Sequence, residues 1–422
     1  MKAVCIECGK ETALSPMRYA CGCGGPLDVK QPFAGLDPER LKRVFRERRA
    51  HRTGIYASGV WRYKELIAPE LPESAVVTKN EGNTGLYERE PATAYAGVRR
   101  LMFKAQSENP SGSFKDNGMT AAVSHGISLG YERFACASTG NTSASLAMYA
   151  AFAGKQSIVL VPKRDVSDNK VLQTLAAGAD IRTFDGTYDD GLRYLETHAE
   201  EQELYLCNSV NPLRIEGQKS IVFELAEQLN WRLPDWIVVP GGALGNAAAL
   251  GKGLRELHAL GFIDKLPQLA VVQAEGAAPF HRLMNGRDGS GATAGGERML
   301  HPEPRPHTRA TALKIGHPPS WRKAAAMLEL TGGTTAAVGD DEILDAKACI
   351  DRCGIGCEPA SAAALAGLRQ LVRSGAVHPE QTAACILTGH LLKDTDAIRE
   401  YHLEGRIGSS QLRSRLTHLG KL

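Results

Sequence analysis

From Arg99 onward, short runs rich in apolar and β-branched residues alternate with stretches whose apolar positions recur at helical spacing. That rhythm predicts βα units around a mostly parallel sheet. The strand runs are 101–104, 134–137, 157–161, 181–184, 205–207, 236–239, 269–273 and 384–387. The helical stretches between them stop at glycines such as Gly130, Gly154 and Gly178, residues that end a helix without steric cost. A helix is also expected over 38–49, ahead of the main body, and another over 117–130. The stretch 276–319 breaks the rhythm: it is rich in Gly, Pro, His and Arg and only weakly periodic. A loop of that length in a compact domain is expected to act as a lid or binding segment. There is no internal repeat and no low-complexity tract.

At 422 residues the chain has room for two or more domains, and its 43% hydrophobic and 23% charged content is ordinary for a soluble globular protein. The N-terminus shows no export signal and no apolar run is long enough to span a bilayer, so the protein is expected in the cytoplasm with no membrane partner. The net charge of +3 is small, and the basic residues are scattered except at Arg40, Lys42, Arg43, Arg46, Arg48 and Arg49. That group is expected to be the charged face of a surface helix, and no nucleic-acid partner is expected.

Ten cysteines fall into two kinds. Cys136, Cys207, Cys349 and Cys385 lie singly in apolar runs and read as core thiols, with no disulfide framework. Cys353 and Cys357 flank glycines in what reads as a tight loop. Cys5-x-x-Cys8 and Cys21-Gly-Cys23 instead resemble a zinc knuckle or rubredoxin-like ribbon. The single residue between Cys21 and Cys23 is one fewer than usual, so two readings stay open: a structural metal site, or a ribbon that has lost its metal.

The candidate chemistry lies in loops. In Asn109-Pro110-Ser111-Gly112-Ser113-Phe114-Lys115-Asp116 a lysine stands between a turn and a helix start, where the helix dipole and burial against Phe114 both disfavour its charge. Such an amine can form a Schiff base, although a solvent-exposed turn lysine is the plain alternative. In open α/β sheets, ligands bind where loops leave the C-terminal ends of strands. Four such loops carry polar groups. Ser138-Thr139-Gly140-Asn141-Thr142 opens a helix with hydroxyls and free N–H groups. Asn208-Ser209-Val210-Asn211-Pro212-Leu213-Arg214 offers an amide, a hydroxyl and a guanidinium suited to a phosphate or carboxylate. Gly241-Gly242-Ala243-Leu244-Gly245-Asn246 is a glycine-rich turn able to wrap a phosphate. Leu387-Thr388-Gly389-His390 sets a hydroxyl at a strand end.

One activated lysine and two anion sites suit a phosphorylated aldehyde cofactor and an anionic substrate. Taken in order, with Ser58-Gly59-Val60-Trp61-Arg62-Tyr63, Glu81-Gly82-Asn83-Thr84 and Ile215-Glu216-Gly217-Gln218-Lys219 added, these segments resemble the fold-type II pyridoxal-phosphate (PLP) enzymes and, within them, the threonine synthases. The resemblance runs from about Ser58 to His390 and includes the Cys-rich N-terminus of the long-chain form. It implies a tryptophan synthase β-like α/β fold: two open subdomains with mostly parallel sheets, plus a small N-terminal ribbon. The expected division is a zinc-ribbon-like module over 1–30, a connecting region over 31–80, a catalytic domain over 81–400 and a tail over 401–422. A smaller subdomain, about 110–210, is inserted in the larger one.

The resemblance further implies that Lys115 carries PLP as a Schiff base, that Asn141 meets the 3′ oxygen, that Gly242 through Asn246 cradle the phosphate and that Thr388 meets the pyridine nitrogen. It implies that Ser138, Thr142, Asn208, Ser209 and Arg214 hold the phosphate of O-phosphohomoserine, which is converted with water to threonine and phosphate. A homodimer is implied as well. The alternatives are cysteate synthase acting on O-phosphoserine, a threonine or serine dehydratase, or a binding protein that keeps the PLP fold as a scaffold. Three positions depart from the family pattern: Gly85 replaces a proline, Asn117 an arginine and Ala243 an asparagine. Gly85 is expected to loosen its loop.

Overall fold

Each apolar run forms or overlaps a strand in the computed structural model, which describes residues 1–15, 17–163, 168–286, 299–405 and 408–414. The strands are β1 (Lys2–Cys5), β2 (Glu11–Thr12), β3 (Leu27–Lys30), β4 (Leu86–Glu88), β5 (Arg100–Ala105), β6 (Arg133–Ala137), β7 (Gln156–Pro162), β8 (Asp180–Phe184), β9 (Leu204–Leu206), β10 (Trp236–Pro240), β11 (Gln268–Ala274), β12 (Thr334–Val338) and β13 (Thr382–Leu387). They make a six-stranded sheet in the order β12-β11-β10-β13-β5-β4, a four-stranded sheet β8-β7-β6-β9 and a three-stranded sheet β2-β1-β3. Both larger sheets are parallel apart from the edge strand β4, and the N-terminal sheet is antiparallel.

The parallel strands are apolar on both faces because helices cover both. Ile237 and Val239 of β10 point into one core cluster while Val238 points into the other. Gly130, Gly154 and Gly178 follow their helices at φ of +85°, +66° and +77°, the left-handed turn that a side chain would strain. The helix Pro38–Arg48 starts on Asp37, whose carboxylate accepts from the N–H groups of Glu39 and Arg40, and it buries Leu41 and Phe45. Its basic face is tied locally, with Arg48 paired to Glu65 at 2.6 Å.

Two strands of the larger sheets escaped the periodicity. β12 is a mild Thr-Thr-Ala-Ala-Val run after Gly332-Gly333, and β4 is three partly exposed residues held only by antiparallel pairing to β5. Residues 31–80 hold the helix Pro38–Arg48, short helical turns and loops, and Trp61, Tyr63, Leu66 and Ile67 are fully buried in the main core. The segment 276–319 contains the helix Pro279–Met284 and the turn Thr311–Leu313, and residues 287–298 of this expected lid lie outside the described residues. The ribbon packs Leu27 and Val29 into a cluster with Met119, Tyr149 and Tyr205. Among the described residues no helix is long and apolar enough to cross a membrane.

Candidate active site

Lys115 is the first residue of the helix Lys115–Ser128, so the helix begins two residues before the predicted start and the lysine stands on its first turn. The loop before it is pinned from two directions. Asp116 accepts from the N–H and hydroxyl of Ser111 and from the hydroxyl of Ser145, each at 2.6 Å. The N–H of Phe114 donates to the carbonyl of Thr388 at 2.9 Å, and that of His390 to Gly112 at 2.9 Å. The lysine loop is thereby stitched to the end of β13, with Ser113 bridged to Gly389, and Lys115 is half-buried. Burial, then the Arg214 guanidinium, push the Lys115 amine down to about 7, against the opposing pull of the Glu358 carboxylate. An amine in that state has a large neutral, nucleophilic fraction at physiological pH. The Phe114 ring centroid lies 4.2 Å from its Nζ.

The glycine-rich turn after β10 presses against its neighbours. A Cβ on Gly241 would stand 2.6 Å from Val271 Cγ1, and one on Gly242 would stand 2.6 Å from the carbonyl oxygen of Ala312. Leu244 caps the following helix, Gly245–Ala259, at φ +64°, a strained conformation for a side-chain-bearing residue that favours a functional reading. The first N–H groups of that helix have no partner within it and carry the positive end of its dipole. Asn246 is buried with both amide atoms unpartnered. A buried amide left this way lacks a polar group that it is shaped to meet. The residues fit a phosphorylated aldehyde: one poised amine, one glycine-lined helix start and one orphaned amide.

The second anion site forms after β9. Asn211 caps the helix Pro212–Gln218, its side chain accepting from the N–H of Leu213 at 2.9 Å, and so fixes Arg214 on the first turn. Arg214 is buried, its Nη1 donates to the carbonyl of Cys207 at 3.0 Å, and its Nε has no partner. The Ser209 hydroxyl oxygen is buried and unpartnered too. Asn208 is engaged differently: its amide bonds the N–H and carbonyl of Ala137 at 3.0 and 2.9 Å. It ties the Arg214 loop to the end of β6, where Ser138 accepts from the N–H of Gly140 at 3.2 Å and Thr142 stands in the first turn of the helix Asn141–Phe152. Close backbone contact joins this site to the lysine. A Cβ on Gly217 would lie 2.0 Å from the carbonyl oxygen of Asn117, and one on Gly118 would lie 2.7 Å from that of Arg214.

Asn141 and Thr388 meet at Glu358, the residue just after Cys357. The Asn141 amide donates to one oxygen of Glu358 at 3.0 Å and the Thr388 hydroxyl to the other at 3.2 Å. Ser361 also joins this group, 2.9 Å from the Thr388 hydroxyl and accepting from the N–H groups of Thr388 and Gly389. Glu358 and Ser361 were missed because Glu358-Pro359 follows Cys-Gly-Ile-Gly-Cys, a pattern dominated by its turn signal; Gly354 and Gly356 do turn at φ +77° and +75°.

The sulfurs of Cys5, Cys8, Cys21 and Cys23 all lie within 4.8 Å of one another, with Cys5 to Cys23 at 3.6 Å and Cys8 to Cys21 at 3.7 Å. Tetrahedral thiolates at about 2.3 Å from a zinc ion would stand roughly 3.8 Å apart. All ten cysteines are free thiols. The Gly85 loop is tied rather than loosened. The Gly85 N–H donates to Glu108 at 2.5 Å, Tyr87 donates to the same carboxylate, and a Cβ at Gly85 would strike the Tyr87 ring. Asn117 donates to Ser220 at 2.9 Å, and Ala243 contributes its carbonyl to the N–H of Ser320 at 3.2 Å.

Residues 77–389 match the model of the pyridoxal-phosphate-dependent enzyme family, and the chain belongs to that family. PLP is its cofactor. The architecture is also that of diaminopropionate ammonia lyase from Escherichia coli, with a TM-score of 0.65 at 17% identity over 92% of this chain and 96% of that one. Among named relatives, threonine synthase of Methanosarcina acetivorans is 42% identical over 93% of this chain and 92% of its own, and that of Methanocaldococcus jannaschii is 41% identical over 93% of each. Within the PLP-dependent lyases the chain therefore falls in the threonine synthase family.

Proposed function

We propose that this enzyme converts O-phospho-L-homoserine and water to L-threonine and inorganic phosphate. The observation that carries the substrate assignment is the buried Arg214, with an unpartnered Nε and the unpartnered Ser209 hydroxyl, at the site whose guanidinium depresses Lys115. A buried cation with no carboxylate partner among the described residues suits a dianionic ligand, and it argues against the uncharged side chains of dehydratase substrates.

Bound PLP supplies an electron sink that acidifies the Cα and Cβ protons of the substrate. Lys115 would hold the cofactor by its amine, and the same amine is placed to take protons from Cα and Cβ of the substrate and to deliver them to Cγ and Cα. Gly242, Ala243, Leu244, Gly245 and Asn246 would cradle the cofactor phosphate at the helix start, Asn141 would meet the 3′ oxygen and Thr388 would meet the ring nitrogen as a neutral hydroxyl. Arg214, Ser209, Ser138 and Thr142 hold the substrate phosphate and stabilise it as it departs, while Asn208 keeps their two loops together. Phosphate leaves Cγ, which takes up the proton lost from Cβ; the hydroxyl of water adds at Cβ and its remaining proton goes to the phosphate, so the atoms balance. The same reading divides the chain at 1–30, 31–80, 81–400 and 401–422, and has the enzyme act in the cytoplasm as a homodimer on a small-molecule substrate. Cys5, Cys8, Cys21 and Cys23 hold a structural zinc ion, a reading supported by their mutual distances.

The test is an assay with PLP and O-phospho-L-homoserine that follows phosphate and identifies the amino acid. Threonine formed in step with phosphate supports the assignment. Turnover of O-phosphoserine with sulfite, and none of phosphohomoserine, would replace it. Lys115→Ala should keep the fold and lose both turnover and the absorption of lysine-bound cofactor.

A further inference from the structure

Glu358 is a buried carboxylate in the middle of the residues assigned to the cofactor ring. It stands immediately before the helix Pro359–Arg373, its N–H is held by the carbonyl of Gly389 at 2.9 Å, and a Cβ at Gly389 would stand 2.4 Å from its carboxyl carbon. The side chain is therefore confined by backbone on one side. On the other it accepts from Asn141 and Thr388, residues that follow strands of different sheets, and the ammonium groups of Lys115 and Lys393 act on it. Burial, the largest influence, raises its pKa above the usual carboxylate range, and the hydrogen bonds from Asn141 and Thr388 and the cations Lys393 and Lys115 oppose that rise.

We propose that Glu358 is a positioning residue of the cofactor site: one rigidly held carboxylate that aligns Asn141 with Thr388 and serves as the counter-charge of Lys115. The inference rests on the assignment of Lys115, Asn141 and Thr388 to the cofactor. Two consequences distinguish this role from simple packing. The carboxylate favours a positive charge on the Lys115 nitrogen, free or cofactor-bound, so its removal lowers the pH at which that nitrogen loses its proton. It also fixes two donors that otherwise turn independently, so its removal weakens cofactor affinity. The other charges in reach are Arg214, which acts on Lys115, and Asp116, which acts on Lys393.

Three variants separate these effects. In Glu358→Gln the charge is lost and the amide cannot accept from both donors. In Glu358→Asp the charge stays but the shorter arm cannot span Asn141 and Thr388. In Glu358→Ala both are lost. Each apoenzyme is titrated with PLP to measure the dissociation constant, and the absorption of the resting holoenzyme is followed against pH.

Glu358→Gln should bind PLP about tenfold more weakly and lose the protonated absorption band about one pH unit lower than wild type. Glu358→Asp should show the weaker binding with the wild-type midpoint. Wild-type affinity and midpoint in folded Glu358→Gln would overturn the proposal. If that variant does not fold, unchanged affinity in Glu358→Asp overturns the positioning role. Titration of wild type against Lys115→Ala checks the underlying assignment separately: equal spectra there would remove the premise, whereas a normal difference with silent Glu358 variants removes this inference alone.

Discussion

Replacing Gly217 by alanine puts a methyl carbon 2.0 Å from the carbonyl oxygen of Asn117, and the second-nearest atom is the Ala121 methyl at 2.9 Å. The first contact is with backbone, so no side chain can swing aside. Relief needs the helices Lys115–Ser128 and Pro212–Gln218 to part by about 1 Å, an overpacking that typically costs about 1–3 kcal/mol. Asn117 lies two residues after Lys115, and Gly217 three after Arg214, so the same displacement moves amine and guanidinium apart. A misplacement of about 1 Å can cost roughly a hundredfold in rate. Gly217→Ala should therefore lower kcat/KM for phosphohomoserine by about two orders of magnitude, mostly through KM, with only a modest fall in Tm. The control is Gly339→Ala, whose methyl would meet nothing nearer than the end of the Glu275 side chain at 3.6 Å. Steady-state kinetics on both variants, at a temperature where both are fully folded, decide the matter. Equal kcat/KM in the two would refute the claim that this glycine contact sets the distance between the two cationic groups.

Other outcomes follow from the same geometry. The rate at which apoenzyme takes up PLP should rise with pH and level off above a midpoint near 7, because the neutral Lys115 amine is the reacting form. Since its folded pKa lies below the usual 10.5, the unfolded chain binds a proton there that the folded chain does not, so the Lys115 contribution to stability rises with pH from about 7 to 10.5; denaturant unfolding of wild type and Lys115→Met compares it. Arg214→Gln should move the uptake midpoint upward by removing the nearby cation, and raise KM for the phosphorylated substrate about tenfold or more, measured by initial rates. Protein purified without chelator should hold one zinc per chain by metal analysis, and Cys8→Ser should lose it and lower the temperature at which the ribbon unfolds.

The strands of the two parallel sheets were legible in the sequence because a buried parallel strand must be continuously apolar, and runs such as Trp236–Pro240 have no other use. The lysine and anion loops were legible for a related reason. Their glycines, hydroxyls and capping residues are set by local backbone geometry, which a short window of sequence contains. β12 and β4 were not, since their extended form comes from pairing with β11 and β5 rather than from their own residues. The engagement of Asn208 with Ala137, the tie from Gly85 to Glu108 and the meeting of Asn141 with Thr388 at Glu358 likewise depend on segments far apart in the chain. Sequence alone determined which groups could do the chemistry, because functional-group identity and local turns are local properties. Tertiary structure alone decided which of those groups are free to meet a ligand and which are already satisfied by a neighbour, because hydrogen-bond partners and burial are set by packing across the two sheets.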